Sequence, residues 1–198
     1  PEVVIYEAIG HCYDRLKNFA QARFYYRKAS HLNQEDGKIF YKIACTYFNE
    51  QQWESCIKQL EHAIRIHKPQ PEYSLLMGEC KMQLGLFKDA VQYFSNAVRL
   101  RSRNVAGWEA LIRCLYKGGF NDEAMEQVEA ALQVTNGKPI FLFYKASILL
   151  AIGKSKEAIL QLEKAMALSP KLLRKFIELN PASLQNQLVV DVVARFKR

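Results

Sequence analysis

The sequence predicts an all-α fold: an α-α superhelix, or solenoid, of five stacked helix-turn-helix repeats of 34 residues, closed by a C-terminal capping unit. Three observations predict it. Ala22, Cys56, Ala90, Ala124 and Ala158 recur every 34 residues, and an internal period of that length marks stacked supersecondary units. Seven residues after each stands an alanine, Ala29, Ala63, Ala97, Ala131 and Ala165, with the large apolar Tyr26, Leu60, Phe94, Val128 and Leu162 between. Finally, no stretch keeps the two-residue alternation of a half-buried strand.

Each unit reads as two helices. In the third, Tyr73 to Gln83 carries helical apolar spacing, Leu84-Gly85 breaks it, and Phe87 to Leu100 resumes it. Gly85, Gly119 and Gly153 lie at the same break, where a left-handed helix end favours glycine; the first two units have Lys17-Asn18 and Gln51-Gln52 there. Pro69-Gln70-Pro71, Asn136-Gly137-Lys138-Pro139 and Ser169-Pro170 separate units. The units are expected at about 3–36, 37–70, 71–104, 105–138 and 139–172. Two antiparallel helices approach closely only where side chains are small, so the alanines mark approach points. One pair cannot hide its apolar face alone, and stacking buries a continuous core.

The units resemble tetratricopeptide repeats, whose pattern is W-x2-L-G-x2-Y, then A-x3-F, then A and P. The first unit carries it as Tyr6, Ile9, Gly10, Tyr13, Ala22, Tyr26 and Ala29, and the second as Phe40, Ile43, Ala44, Tyr47, Cys56, Leu60 and Ala63. The third has Met77, Gly78, Ala90, Phe94 and Ala97, with Ser74 and Lys81 departing at the Trp and Tyr places. The fourth has Trp108, Leu111, Ala124, Val128 and Ala131, with Ile112 where a small residue is usual. The fifth has Leu142, Ala146, Leu149, Ala158, Leu162, Ala165 and Pro170, with Lys145 at the Leu place. The resemblance covers about residues 3 to 170. Because the chain begins on Pro1 rather than Met, it is expected to be the C-terminal fragment of a longer array.

Residues 171–198 continue the period in weakened form, with Phe176, Val192 and Phe196 at repeat places. Pro181 is expected to cut the first helix short and Ser183 to N-cap a second. Leu184, Leu188, Val189, Val192, Val193 and Phe196 would form its apolar face, a cap over the fifth unit. The sharper alternative, a helix lying on a membrane surface, needs a richer basic face than Arg195, Lys197 and Arg198 supply.

Net charge is +8, half of it in that tail, where Lys171, Arg174, Lys175, Arg195, Lys197 and Arg198 face only Glu178 and Asp191. Five cysteines, an odd number, argue against a disulfide framework and for a reducing, cytoplasmic compartment. No apolar run approaches membrane-spanning length. No H-E-x-x-H, C-x-x-C, Gly-rich phosphate loop or G-x-S-x-G is present, so no catalytic, metal or cofactor residue is assigned and the chain is expected to be non-enzymatic, with no small-molecule substrate. Cys12, Cys80 and Cys114 share one place in their units, and with Cys56 are expected in the core. Cys45 falls on another face, where its thiol is expected to be reachable.

In the tetratricopeptide family the first helix of each unit lines a concave groove that takes peptides or helices of partner proteins. The resemblance therefore implies a partner-binding groove of Lys38, Tyr41, Lys42, Cys45, Phe48, Asn49, Leu75, Glu79, Met82, Glu109, Arg113, Tyr116 and Phe143. Exposed apolar side chains at these places would be poorly explained on a purely wet surface. The family's carboxylate clamp is absent, because its places hold Glu7, His11, Lys42, Glu72 and Leu76. The reading is thus a protein–protein interaction scaffold. Two rivals stand beside it: a nucleic-acid-binding helical repeat, suggested by the basic charge but opposed by the acids among the groove places, and a self-associating structural array.

Overall fold

The computed structural model describes residues 2–196; Pro1 and the basic Lys197 and Arg198 lie outside the described residues. Regular structure among the described residues is helical throughout: α1 (Glu2–Arg15), α2 (Phe19–Leu32), α3 (Gly37–Asn49), α4 (Trp53–Ile66), α5 (Pro71–Gln83), α6 (Phe87–Leu100), α7 (Val105–Lys117), α8 (Asn121–Val134), α9 (Pro139–Ala151), α10 (Ser155–Leu168), α11 (Leu173–Leu179) and α12 (Gln187–Phe196). Short 3-10 turns at Pro170–Leu172 and Pro181–Gln185 flank α11. The chain divides into two compact units, Pro1–Leu100 with α1–α6 and Arg101–Arg198 with α7–α12. In the first, α1 packs on α2, α3 on α4 and α5 on α6, while α2 meets α3 and α4 meets α5. In the second, α7 packs on α8 and α9 on α10, α8 meets α9, and α11 and α12 lie against α9 and α10.

The helix pairs close on a matched small–large contact. A Cβ on Gly10 would stand 2.7 Å from the Tyr26 ring, and one on Gly78 2.6 Å from the Phe94 ring. In the second pair Ala44 faces the smaller Leu60 within one buried cluster, and in the fifth Ala146 and Leu162 share another. The fourth pair reverses the sizes. Ile112, bulky where its equivalents are small, is fully buried with Val128, the smallest of the five large-position residues. A larger residue at one place goes with a smaller one at the other, as close-packed interiors favour. The departure at Ile112 is thereby offset in part by the smaller Val128. Two others have partners as well: Asn96 Nδ2 donates to Ser74 Oγ at 2.8 Å, and Lys145 Nζ lies 2.5 Å from Glu129 Oε1.

The turn inside each pair is one motif written five times. Lys17, Gln51, Gly85, Gly119 and Gly153 all adopt left-handed backbone, with φ between 58° and 81°. After each, an amide reaches back five residues at 2.9 Å: Asn18 to Tyr13, Gln52 to Tyr47, Leu86 to Lys81, Phe120 to Leu115 and Lys154 to Leu149. This is the Schellman end, which pairs carbonyls the helix leaves orphaned. The first two units accept the strain of a side chain there. Pro71 and Pro139 open α5 and α9, where a missing amide hydrogen costs nothing.

The cap differs from the sequence expectation in detail. Pro181 does end α11 after seven residues, but Ser183 lies buried in the 3-10 turn instead of capping α12. Asn186 takes that role, its Oδ1 accepting from Leu188 N at 3.0 Å. Val189, Val192 and Val193 are the buried face; Leu184, Leu188 and Phe196 stay exposed, because three residues at i, i+3 and i+4 suffice to cover α10. Three basic side chains of the cap are paired: Arg195 with Glu163 and Arg174 with Glu178, each at 2.6 Å, and Lys175 with Glu109 at 3.3 Å.

The cysteines also need correction. Cys56, Cys80 and Cys114 are buried, but Cys12 is exposed. Cys80 on α5 has α3 and α4 beside it, whereas no described helix precedes α1 to cover the equivalent face. Cys45 is half-buried, and desolvation pushes its thiol up to about 11.

Candidate partner-binding face

In the first unit α3 and α5, the first helices of the second and third pairs, carry the predicted groove residues. Lys38 and Asn49 on α3 are exposed; Tyr41, Lys42, Cys45 and Phe48 are half-buried, as are Leu75 and Glu79 on α5. Met82 is a correction: it is buried, because its place near the C-terminal end of α5 turns toward the packed interior. The remaining side chains hold one another in place. Lys42 Nζ pairs with Glu7 on α1 and sits 5.9 Å from the Tyr26 ring centroid. The Tyr41 and Tyr73 rings lie 5.1 Å apart, and Phe48 meets Trp53 edge-on at the same separation. Burial raises the phenols of Tyr26, Tyr41 and Tyr73, the last to about 12, so all three are neutral donors at physiological pH. Tyr73 OH lies 2.8 Å from His67 Nδ1. Asp14 Oδ1, also on α1, is buried with no hydrogen bond among the described residues.

In the second unit the equivalent places are mostly closed. Glu109 Oε1 accepts from Tyr144 OH at 3.0 Å and pairs with Lys175. Burial, with the Glu109 carboxylate beside it, raises the Tyr144 phenol. Phe143 is a second correction: it is fully buried, its ring 6.3 Å from that of Phe176 on α11, so it presents no surface to a partner. The cap lays its first helix over α9, and the sequence pattern of α9 alone does not reveal this. Arg113 and Tyr116 on α7 stay half-buried. Tyr116 lines an open cavity of about 270 Å³ together with Leu150, Ala151, Asn180, Ala182, Ser183 and Asn186. The four cap residues escaped sequence reasoning because the cap has lost the repeat pattern that locates such positions.

A cationic–aromatic cluster between α2 and α3 was not legible either. The Arg23 guanidinium lies 4.4 Å from the Tyr47 ring and 2.6 Å from Glu50, and Arg27 donates to Tyr47 OH at 2.8 Å. These groups are engaged with each other across α2 and α3. No group of three or more potential metal ligands, and no helix long and apolar enough to cross a membrane, occurs among the described residues.

Paired helices joined by the same left-handed turn five times over define a helical-repeat protein. Residues 75–139 and 110–172 match the tetratricopeptide repeat family model, and residues 15–97 match the model of anaphase-promoting complex, cyclosome, subunit 3. The chain belongs to the tetratricopeptide repeat family. It is 25% identical over 171 residues to the TPR repeat-containing protein YpiA of Bacillus subtilis (strain 168), covering 85% of this chain and 40% of that protein. The chain thus spans less than half the length of this relative. Among solved structures, MamA is similar with a TM-score of 0.74 at 18% identity, covering 87% of this chain and 94% of that one. YrrB, described as a TPR protein with an unusual peptide-binding site, has a TM-score of 0.64 at 19% identity, covering 94% and 89%. At such identities the likeness is one of fold. The fold is that of a protein-interaction scaffold in general terms.

Proposed function

We propose that the chain binds a peptide or helix of a partner protein against the α1, α3 and α5 face of its first unit. One observation carries this reading. Tyr41, Phe48 and Leu75 are apolar, only half-buried, and interleaved with Lys38, Lys42, Asn49 and Glu79. Apolar anchors within a mixed polar rim are the pattern of binding surfaces. In the second unit the matching Phe143 is sheltered by the cap, which supports assigning the open face to the first.

Peptides selected from a displayed library against the whole chain test the reading. Leu75→Glu and Tyr41→Ala, checked for an unchanged helical spectrum, should each weaken the selected peptides by about tenfold or more in a calorimetric titration. Equal affinity for the wild type and both variants would overturn it. Binding to single-stranded RNA with a steep log–log salt slope, and no peptide binding, would favour the nucleic-acid rival.

A further inference from the structure

The cavity beneath the cap has a chemistry that the rest of the second unit does not explain. Its lining is Tyr116, Leu150, Ala151, Asn180, Ala182, Ser183 and Asn186, with no charged side chain among them. Ser183 is 4% exposed, yet its hydroxyl oxygen makes no hydrogen bond among the described residues. Its main chain is satisfied, since Ser183 N donates to Asn180 O and Asn186 N donates to Ser183 O. Only the side chain is left over, on the wall of an open cavity. Buried polar groups are nearly always paired, so an unpaired one beside an accessible cavity points to a ligand group. Asn186 uses its Oδ1 on Leu188 N and keeps its amino group as a donor. Burial holds the Tyr116 phenol protonated, a further donor.

The cavity, about 270 Å³, lies below the roughly 300–1,000 Å³ typical of small-molecule and cofactor sites. An uncharged lining does not repay the dehydration of a carboxylate, phosphate or ammonium. A hydroxyl and amides that both donate and accept match the paired N–H and C=O of a main chain, and Leu150 and Ala182 offer apolar contact to one side chain. We propose that this cavity seats one uncharged, apolar residue of an extended peptide from a partner protein, its main chain hydrogen-bonded by Ser183 and the asparagine amides. The inference rests on the reading of the chain as a protein-binding scaffold, and adds a second contact point, built by the cap, to the face on the first unit.

The test is a two-dimensional NMR titration of the whole chain with acetyl-Gly-Leu-Gly-amide. Saturable shifts at Tyr116, Asn180, Ser183 and Asn186 are expected, with a Kd on the order of millimolar. Ser183→Ala should weaken binding about threefold or more, and Ala182→Phe, at an exposed position, should fill the cavity and abolish the shifts. Acetyl-Gly-Glu-Gly-amide should leave these signals unmoved. Shifts that do not saturate, that survive Ala182→Phe, or that follow protein concentration without peptide would overturn the proposal; the last would mean that a second copy occupies the site. Library-selected peptides that bind the α3–α5 face while the tripeptide leaves the cavity untouched would sink this inference and spare the proposed function. Loss of both would sink the two together.

Discussion

The α3–α5 face and the α9 face occupy equivalent places in the repeat, yet one is open and the other closed. Tyr41, Phe48 and Leu75 keep part of their surface in solvent, whereas Phe143 has none. The difference lies in what comes next in the chain. Beyond α9 and α10, a shortened helix pair folds back, and Phe176 enters the buried cluster with Phe143, Leu162 and Val192. A repeat position thus fixes which way a side chain points, while the following element decides whether it meets solvent.

The comparison breaks most visibly if the cover is removed. Phe176→Ala deletes a fully buried ring and should cost about 3–5 kcal/mol in a urea melt. Phe48→Ala, at a place that keeps part of its ring in solvent, should cost less, because less apolar surface is withdrawn from water there. Equal losses would mean that the two faces are packed alike.

The small–large contact gives the next effect. Gly78→Ala drives a Cβ into the Phe94 ring and should cost about 1–3 kcal/mol. Phe94→Leu, which recreates the Ala44–Leu60 pairing of the second unit, should recover part of that loss in the double variant. Strict additivity would show that the two positions are independent.

The turns should give about 1 kcal/mol, with opposite signs in the two units. Gly119→Ala places a side chain in left-handed backbone and should destabilise by about that much; Gln51→Gly removes one and should stabilise by up to as much, less the entropy of glycine. A stabilising Gly119→Ala would contradict the assignment of strain.

The thiols leave the fold intact at neutral pH and differ in rate. A bulky reagent should label Cys12 first, Cys45 slowly, and Cys56, Cys80 and Cys114 only on unfolding. Because the folded Cys45 thiol is raised above its ordinary value of 9.0 to about 11, its protonated form is the one the fold favours. Its contribution is therefore whole below pH 9 and lost as pH rises toward 11, and Tyr73, raised from 10.0 to about 12, extends the decline. Stability that rises with pH across this window would contradict the burial of both groups.

The repeat made the helix pairs, their turns and their alanine contacts legible, because each rests on residue size or backbone freedom at a fixed spacing. It also located the first-helix face. It failed where a neighbour decides. Ile112 looked misfitted until Val128 was found smaller at the opposing place, Cys12 and Cys80 share a place but not a neighbour, and Phe143 looked exposed until α11 covered it. Ser183 looked like a helix cap because serine suits that role, but the 3-10 turn moved the helix start onto Asn186.

The central claim, that the open face of the first unit receives the partner, is tested most directly by the footprint of a library-selected peptide on the NMR spectrum of the whole chain. The account predicts saturable perturbations at Tyr41, Cys45, Phe48, Leu75 and Glu79 on α3 and α5. Perturbations confined to α4 and α6, with those five residues unmoved, would contradict it.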